Sequence, residues 1–228
     1  INRKEMKKQK ALVTGGAGFV GSALAKRLLN EGLEVWIVDN FSNGKRSNVP
    51  AEAHLIEADL SEDSCYEKLG KTVFDGGIFH LAAQASNAIS FRKPFQDISD
   101  NQTTTLKLLE HARATDSKRF YFTSSMSAYG APSEFPTPES TGLNPDSPYG
   151  AHKAASEHYV NMYAKEYGFK TTIFRLYTTY GGGQNLDNLD QGLLSIYLAY
   201  LLNKKPIVVK GSLDRKRDIV HVSDVVEA

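Results

Sequence analysis

Residues 11–21, Ala-Leu-Val-Thr-Gly-Gly-Ala-Gly-Phe-Val-Gly, limit the fold more than any other stretch of the chain. A short apolar run, 11–13, leads into Gly15, Gly18 and Gly21, spaced by three. From Ser22 to Leu29, the residues Leu24, Ala25, Leu28 and Leu29 recur at helical spacing. The pattern is a buried strand, a glycine turn and a helix. Such a turn lets the backbone approach a pyrophosphate, whose charge rests on the free N–H groups of the helix start. Gly15 suits the tight turn, Gly18 the approach of the phosphates, and Gly21 the packing of helix on strand. Glycines also serve plain turns, so the next element matters. A second strand, 34–38, ends in Asp39, about 20 residues on, where dinucleotide sites place a carboxylate. Asp39 can accept both hydroxyls of an adenosine ribose and repels a 2′-phosphate, which favours NAD over NADP. Lys45 and Arg46 follow; they read as a solvated loop, although two cations there keep NADP open.

Beyond Asp39, strands are expected over 54–58, 77–81, 119–123 and 171–176, and helices over 61–69, 95–114 and 147–167. Ser61 is expected to cap the first of these helices. Leu106, Leu109 and Ala112 are expected to face inward from the second. Apolar strands separated by helices make a parallel sheet covered on both faces, and right-handed crossovers make it doubly wound, an α/β fold of Rossmann type. Ligands bind outside the carboxyl ends of such strands. The polar clusters fall at those ends: the glycine turn, Asp39, Asp59, residues 82–86, and Ser124 with Ser125.

Past Tyr177 the pattern loosens. A turn at 181–183, a helix over 192–202, a short strand over 206–209, a charged loop over 210–217 and a strand over 218–222 are expected, with Ser223 capping a helix cut off by the chain end. Residues 1–176 thus read as a dinucleotide-binding domain, with 217–228 packing back onto it. Residues 177–216 read as part of a small substrate lobe, incomplete at the C-terminus. The prolines at 132, 136, 138, 145 and 148 make that stretch a long surface loop beside the site.

Composition excludes several classes. A net charge of +1 gives no reason to expect nucleic acid or an acidic membrane as partner. Residues 1–10 hold no apolar run long enough for a signal peptide or a membrane span. A single cysteine, Cys65, allows no internal disulfide and fits a reducing compartment, so the cytoplasm is expected. The histidines show no metal-like spacing, and no metal is expected.

Tyr149 and Lys153 lie four apart in the 147–167 helix and share a face. A phenol with pKa near 10 is a poor base at neutral pH. An ammonium one turn away and a cationic nicotinamide ring favour the phenolate. Lowering the pKa to ~7 takes about 4 kcal/mol, which two cations in a dry cleft supply. A hydroxyl at Ser124 or Ser125 can donate to a substrate oxygen and relay a proton to the phenolate. Tyr-x-x-x-Lys alone is a common helical spacing; behind a glycine-turn dinucleotide site it points to catalysis.

With these pieces in place, the chain resembles the extended short-chain dehydrogenase/reductase family, in its NAD-dependent nucleotide-sugar epimerase/dehydratase branch. The matching pieces are Thr14-Gly-Gly-Ala-Gly-Phe-Val-Gly21, Asp39-Asn40, Asp59-Leu60, His80-Leu-Ala-Ala83, Asn101, Ser124-Ser-Met-Ser-Ala-Tyr-Gly130, Tyr149-Gly-Ala-His-Lys153, Arg175-Leu-Tyr-Thr-Thr-Tyr-Gly181 and Arg217-Asp-Ile-Val-His-Val222. The resemblance implies that Phe19 and Val20 present backbone N–H groups to the pyrophosphate. Asp39 and Asn40 hold the adenosine ribose, and Asp59 and Leu60 flank adenine. Leu81, Ala82 and Ala83 line the path to the nicotinamide, with Asn101 and Ser124 also on the cofactor side. Lys153 holds the nicotinamide ribose. Ser125 and Tyr149 are catalytic, and Gln84, Met126, Thr178 and Arg217 face the substrate beside them. It further implies a nucleotide-sugar substrate, a UDP-sugar first among them, and a homodimer built from the 95–114 and 147–167 helices, with Tyr159 and Tyr163 on their outer faces.

Two departures bear on the reaction. Thr178 stands where the family carries an asparagine beside the diphosphate, and Gly182 where it often has proline. Related dehydratases place Asp-Glu directly after the catalytic Ser/Thr, and the sugar decarboxylases a Glu in the second of those positions. This chain has Met126 and Ser127, neither a useful acid. Redox-neutral epimerisation at the sugar C4 is therefore expected. A 4,6-dehydratase or decarboxylase on the same scaffold, and a non-catalytic dinucleotide-binding protein, stay open as alternatives.

Overall fold

The computed structural model describes residues 8–189, 192–209, 212–214 and 216–228. Six strands, β1 (Lys10–Thr14), β2 (Glu34–Asp39), β3 (His54–Glu57), β4 (Gly77–His80), β5 (Arg119–Ser125) and β6 (Lys170–Leu176), form one sheet in the order β3-β2-β1-β4-β5-β6. Every neighbouring pair is parallel. The winding direction reverses between β1 and β4, which opens a crevice at their carboxyl ends.

Alternation along β1 feeds two cores. Ala11 and Val13 join Val35 and Ile37 under Ala25 and Leu28 of α1 (Phe19–Asn30). Leu12 joins Phe74, Ile78, Phe120 and Phe122 on the other face. That face is covered by α2 (Asp63–Leu69), α5 (Thr104–Ala114) and α6 (Pro148–Tyr167), through Leu69, Leu108, Leu109 and Val160. The α1 side is thinner over β4–β6, where a groove of about 240 Å³ is lined by Leu28, Phe79, Tyr121, Phe174 and Val226.

The 95–114 stretch is not one α-helix. It comprises α4 (Pro94–Asp97), a wide-turn segment Ile98–Thr103, and α5. Asn101 Nδ2 donates to the Asp97 carbonyl at 3.2 Å, and the Thr104 and Thr105 hydroxyls donate back to the Asp100 and Asn101 carbonyls at 2.9 and 2.6 Å. Side chains that compete for helix carbonyls in this way accompany local unwinding. The register shift buries Leu109 and Ala112 but turns Leu106 outward, 37% exposed. A short α3 (Asn87–Arg92), capped by the Ser86 hydroxyl, precedes it.

Other boundaries shift for local reasons. Glu62, not Ser61, precedes α2, because the Ser61 N–H is held by Asp59 Oδ1 at 2.8 Å. Residues 206–209 are exposed and join no strand ladder among the described residues. A small second sheet pairs β7 (Thr178–Tyr180) with β8 (Ile219–His221), and α7 (Leu193–Leu202) lies between them in the chain. His221, not Ser223, caps α8 (Val222–Glu227), accepting from the Ser223 N–H at 3.3 Å. Helix α8 returns to α1, where Arg27 meets Glu227 at 3.0 Å.

A methyl group at Gly21 would fall on the carbonyl oxygen of Gly15, which is backbone and cannot swing away. Gly21→Ala should therefore cost about 1–3 kcal/mol. Urea unfolding is expected to show a lower midpoint at an unchanged slope.

Candidate active site

The glycine turn is built at the crevice. Gly15 takes φ +68°, and a Cβ there would lie 2.8 Å from the Ala82 nitrogen. Its N–H donates to the Val38 carbonyl at 2.8 Å, which ties the turn to β2. Gly18 caps α1 without any side-chain hydrogen bond, so the first N–H groups of the helix, at Phe19 and Val20, have no side chain closing over them. The Asp39 carboxylate is buried and fixed: Oδ2 accepts from the Ala17 N–H at 2.9 Å and Oδ1 from the Phe41 N–H at 2.8 Å. Each oxygen keeps a lone pair for a ribose hydroxyl. Asn40 Nδ2 donates to Asp59 Oδ2 at 2.8 Å, while the Leu60 side chain lies in the core. A tight turn that a methyl group would block, open helix N–H groups and a fixed carboxylate together fit a dinucleotide.

One threonine joins the two sides of the crevice. The Thr14 hydroxyl accepts from the N–H groups of Leu81 and Ala82, both at 3.2 Å, and donates to His80 Nδ1 at 2.8 Å. His80 Nε2 meets the Thr105 hydroxyl at 3.0 Å, and that hydroxyl donates to the Asn101 carbonyl. The direction of the chain assigns the proton of His80 to Nε2. Burial first, and the Lys153 charge second, push His80 down to about 3, so the ring is neutral.

Ser125, Tyr149 and Lys153 meet where β5 ends against the start of α6. Ser147 caps α6, accepting from the Gly150 N–H at 3.2 Å, with Pro148 at the first helical position. A Cβ at Gly150 would strike the Ser127 carbonyl, so that glycine lets the helix start dock on the turn after Ser125. The Ser125 hydroxyl accepts from the Ser127 N–H at 3.2 Å and lies near enough to the Tyr149 phenol to favour its phenolate. Lys153 is buried; its Nζ donates to the Thr123 carbonyl at 2.9 Å and lies 6.0 Å from the Tyr149 ring centroid. Burial lowers Lys153 to about 8, opposed by the charges of Asp97 and Glu157. Burial likewise pushes Tyr149 up to about 12, opposed by the Ser125 hydroxyl and helped by Asp97. The expected fall of the tyrosine toward ~7 is thus not produced by the chain alone. Desolvation outweighs a lysine whose proton is directed at Thr123.

The NAD dependent epimerase/dehydratase family model matches residues 11–228. The chain belongs to this family. It is 35% identical over 230 residues to the UDP-glucose 4-epimerase of Mycolicibacterium smegmatis, covering 96% of this chain and 71% of that protein. The UDP-glucose 4-epimerase of Thermotoga maritima, solved with UDP-glucose, superposes with a TM-score of 0.92 at 38% identity, over 96% of this chain and 71% of that one. The Thermus thermophilus UDP-glucose 4-epimerase, solved with NAD, gives 0.87 at 34% identity, over 96% and 72%. NAD is the cofactor of the family.

Two buried clusters join residues of the sequence motifs to Glu157 and Asp97, which lie outside them. Glu157, on α6, accepts from the Ser124 hydroxyl and from the Nε and Nη2 edge of the Arg175 guanidinium, with Nη2 at 2.8 Å from Oε2. Arg175 also donates to the Tyr129 hydroxyl at 2.8 Å. This bidentate pair locks β6, α6 and the end of β5. In the second cluster, Asp97 accepts from Gln84 Nε2, Asn101 Nδ2 and His152 Nδ1. Gln84 also bonds both main-chain groups of Ser86, so all its side-chain polar atoms are engaged within the chain. Asn101 lies beneath the crevice, 1% exposed. Met126 sits in the turn after Ser125, half-buried. Thr178 belongs to the second sheet, where it pairs with Ile219, and the exposed Arg217 lies in the irregular chain two residues before β8. A carboxylate and an arginine eighteen residues apart on different elements carry no periodic signal, which is why Glu157 and Arg175 escaped the sequence reading as a pair.

His80 gives a pH dependence. Its folded value lies below its unfolded value, so the unfolded chain takes up the proton first. Stability present above about pH 6.5 is lost as the pH falls toward 3, by on the order of 4 kcal/mol. His80→Gln, able to accept from Thr14 and donate to Thr105 without titrating, should flatten that part of a denaturation-versus-pH curve.

Proposed function

We propose that this chain carries out NAD-dependent epimerisation of a nucleotide sugar at C4, with UDP-glucose the first substrate to test. The observation that carries the reading is that Ser125, Tyr149 and Lys153 gather at the carboxyl end of β5, on the same edge of the parallel sheet as the glycine cradle after β1. The glycine cradle, Asp39 and Lys153 would hold NAD, which would supply the acceptor for a hydride from the sugar carbon and the donor for its return to the other face. Tyr149 removes the proton of the sugar hydroxyl and later gives it back. Ser125, beside Tyr149, donates to the same sugar oxygen and relays that proton. Lys153, at about 8, shares its charge with the phenol and holds the nicotinamide ribose.

The other roles follow the positions described. Gly15, Gly18, Phe19, Val20 and Gly21 cradle the pyrophosphate; Asp39 and Asn40 take the ribose; Asp59 and the Leu60 backbone flank adenine. Leu81, Ala82 and Ala83 line the crevice, with Asn101 and Ser124 supporting it from behind. Gln84, Met126, Thr178 and Arg217 edge the sugar-nucleotide side. Met126 and Ser127 supply no acid for elimination, which favours epimerisation over loss of water or carbon dioxide. We assign residues 1–176 to the dinucleotide domain and 177–216 to the substrate lobe, and place the protein in the cytoplasm. Among the described residues, no helix is long and apolar enough to cross a membrane.

We also infer a homodimer through α3–α6. Tyr159 and Tyr163 turn inward, bonding Gln102 and Glu110, but Phe91, Phe95 and Met162 stand 63, 85 and 53% exposed. Sedimentation at micromolar concentration should give a dimer, and Phe95→Glu a monomer.

Incubation with UDP-glucose should give a product of unchanged mass and altered stereochemistry. Loss of water or carbon dioxide would overturn the reaction type. Tyr149→Phe should lower turnover by roughly 10²–10⁴ while NAD still binds. Near-normal turnover in that variant would remove Tyr149 as the base.

A further inference from the structure

Lys45 and Arg46 follow Asp39 closely and are the cations a 2′-phosphate would seek. The structure places both on carboxylates. Arg46 lies over the Phe41 ring at 4.5 Å and pairs with Glu57, the residue beside Asp39 in the β2–β3 register. Lys45 Nζ pairs with Asp187 Oδ2 at 3.2 Å. Asp187 comes from the segment after β7, and the next residue, Asn188, donates to Asn43 Oδ1 at 2.9 Å.

The loop bearing the two cations is pinned against the glycine turn. The Lys45 N–H and Asn48 Nδ2 both donate to the Ala17 carbonyl, at 3.1 and 3.0 Å. Gly44 packs so closely that a Cβ would lie 2.8 Å from that of Ala17. Ala17 in turn donates its N–H to Asp39. Around the ribose end stand Asp39, Glu57, Asp59 and Asp187 against Lys45, Arg46 and Lys68, whose Nζ reaches the Glu57 carbonyl at 3.0 Å. Carboxylates outnumber cations there.

We propose that Glu57 and Asp187 are specificity-determining residues for the cofactor: by engaging Arg46 and Lys45 they complete the exclusion of a 2′-phosphate that Asp39 begins. A 2′-phosphate dianion must displace one carboxylate to gain a cation and still meets the others. Asp187 brings the 177–216 segment into this choice, so cofactor selection is shared by loops from both parts of the chain. The inference rests on Asp39 facing the adenosine ribose.

Both pairs are exposed, and exposed pairs are individually weak, so each removal should act modestly. Calorimetric titration of NAD and NADP into the full chain, freed of dinucleotide and at low salt, tests it. Glu57→Gln and Asp187→Asn should each tighten NADP by about 3-fold and the pair by about 10-fold, with NAD changed by less than about 2-fold. The gain should vanish at high salt and in a chain also carrying Lys45→Met and Arg46→Met. An NADP-to-NAD ratio unchanged in Glu57→Gln/Asp187→Asn overturns the inference. If Asp39→Asn shifts the ratio in the same series, the ribose reading survives alone. A ratio unmoved by Asp39→Asn, or an unmodified chain that binds NADP more tightly or binds neither, overturns both.

Discussion

The hydroxyl of Thr14 bonds the last residue of β1 to the chain leaving β4, and the crevice of this fold depends on that bond. Where the winding of the sheet reverses, two parallel strands diverge and their main-chain groups lose ladder partners. Thr14 accepts from Leu81 and Ala82 there and donates its own hydrogen bond to His80. His80 carries the link through Thr105 to Asn101 under the crevice. The ring has to stay neutral for this, and complete burial keeps it so. With the strand ends fixed, Gly15 can approach Ala82 closely enough to shape a phosphate cradle.

Burial sets the character of the reacting groups as well. Lys153 and Tyr149 lie in a dry pocket, and desolvation moves each toward its neutral form. The lysine falls to about 8 and the tyrosine rises to about 12, the reverse of what a free ion pair would do. The Ser125 hydroxyl opposes the rise. The site as built by the chain holds its proton on Tyr149, and only a further positive charge beside the phenol would favour the phenolate at neutral pH.

Around that pocket the buried charges are paired. Glu157 and Arg175 form a bidentate bridge that also holds Ser124 and Tyr129. Asp97 gathers Gln84, Asn101 and His152. These clusters tie the β4 loop, the wide-turn segment, α6 and β6 into one frame. A carboxylate with its full set of donors keeps its geometry when a substrate arrives.

The sequence by itself determined the sheet and the cradle. Apolar runs, helical spacing and glycines at intervals of three are local signals, and the six strands of the main sheet, α1 and α6 stand where those signals put them, whereas 206–209 joins no ladder and 95–114 is broken. Gly15 and Gly21 were legible because a tight turn and a close packing each need a residue without a side chain, and Asp39 because a carboxylate at the end of β2 can accept the N–H groups of the turns around it. The pairing of Tyr149 with Lys153 on one helix face was legible for the same reason. Only the tertiary structure decided what those residues meet. Leu106 turned outward because threonine and asparagine side chains took helix carbonyls in the segment before it. Tyr163 turned inward to Glu110, and Lys45 and Arg46 went to Asp187 and Glu57. Periodicity reports the face of an element, whereas partners far apart in sequence, and the dielectric around them, exist only once the elements have packed.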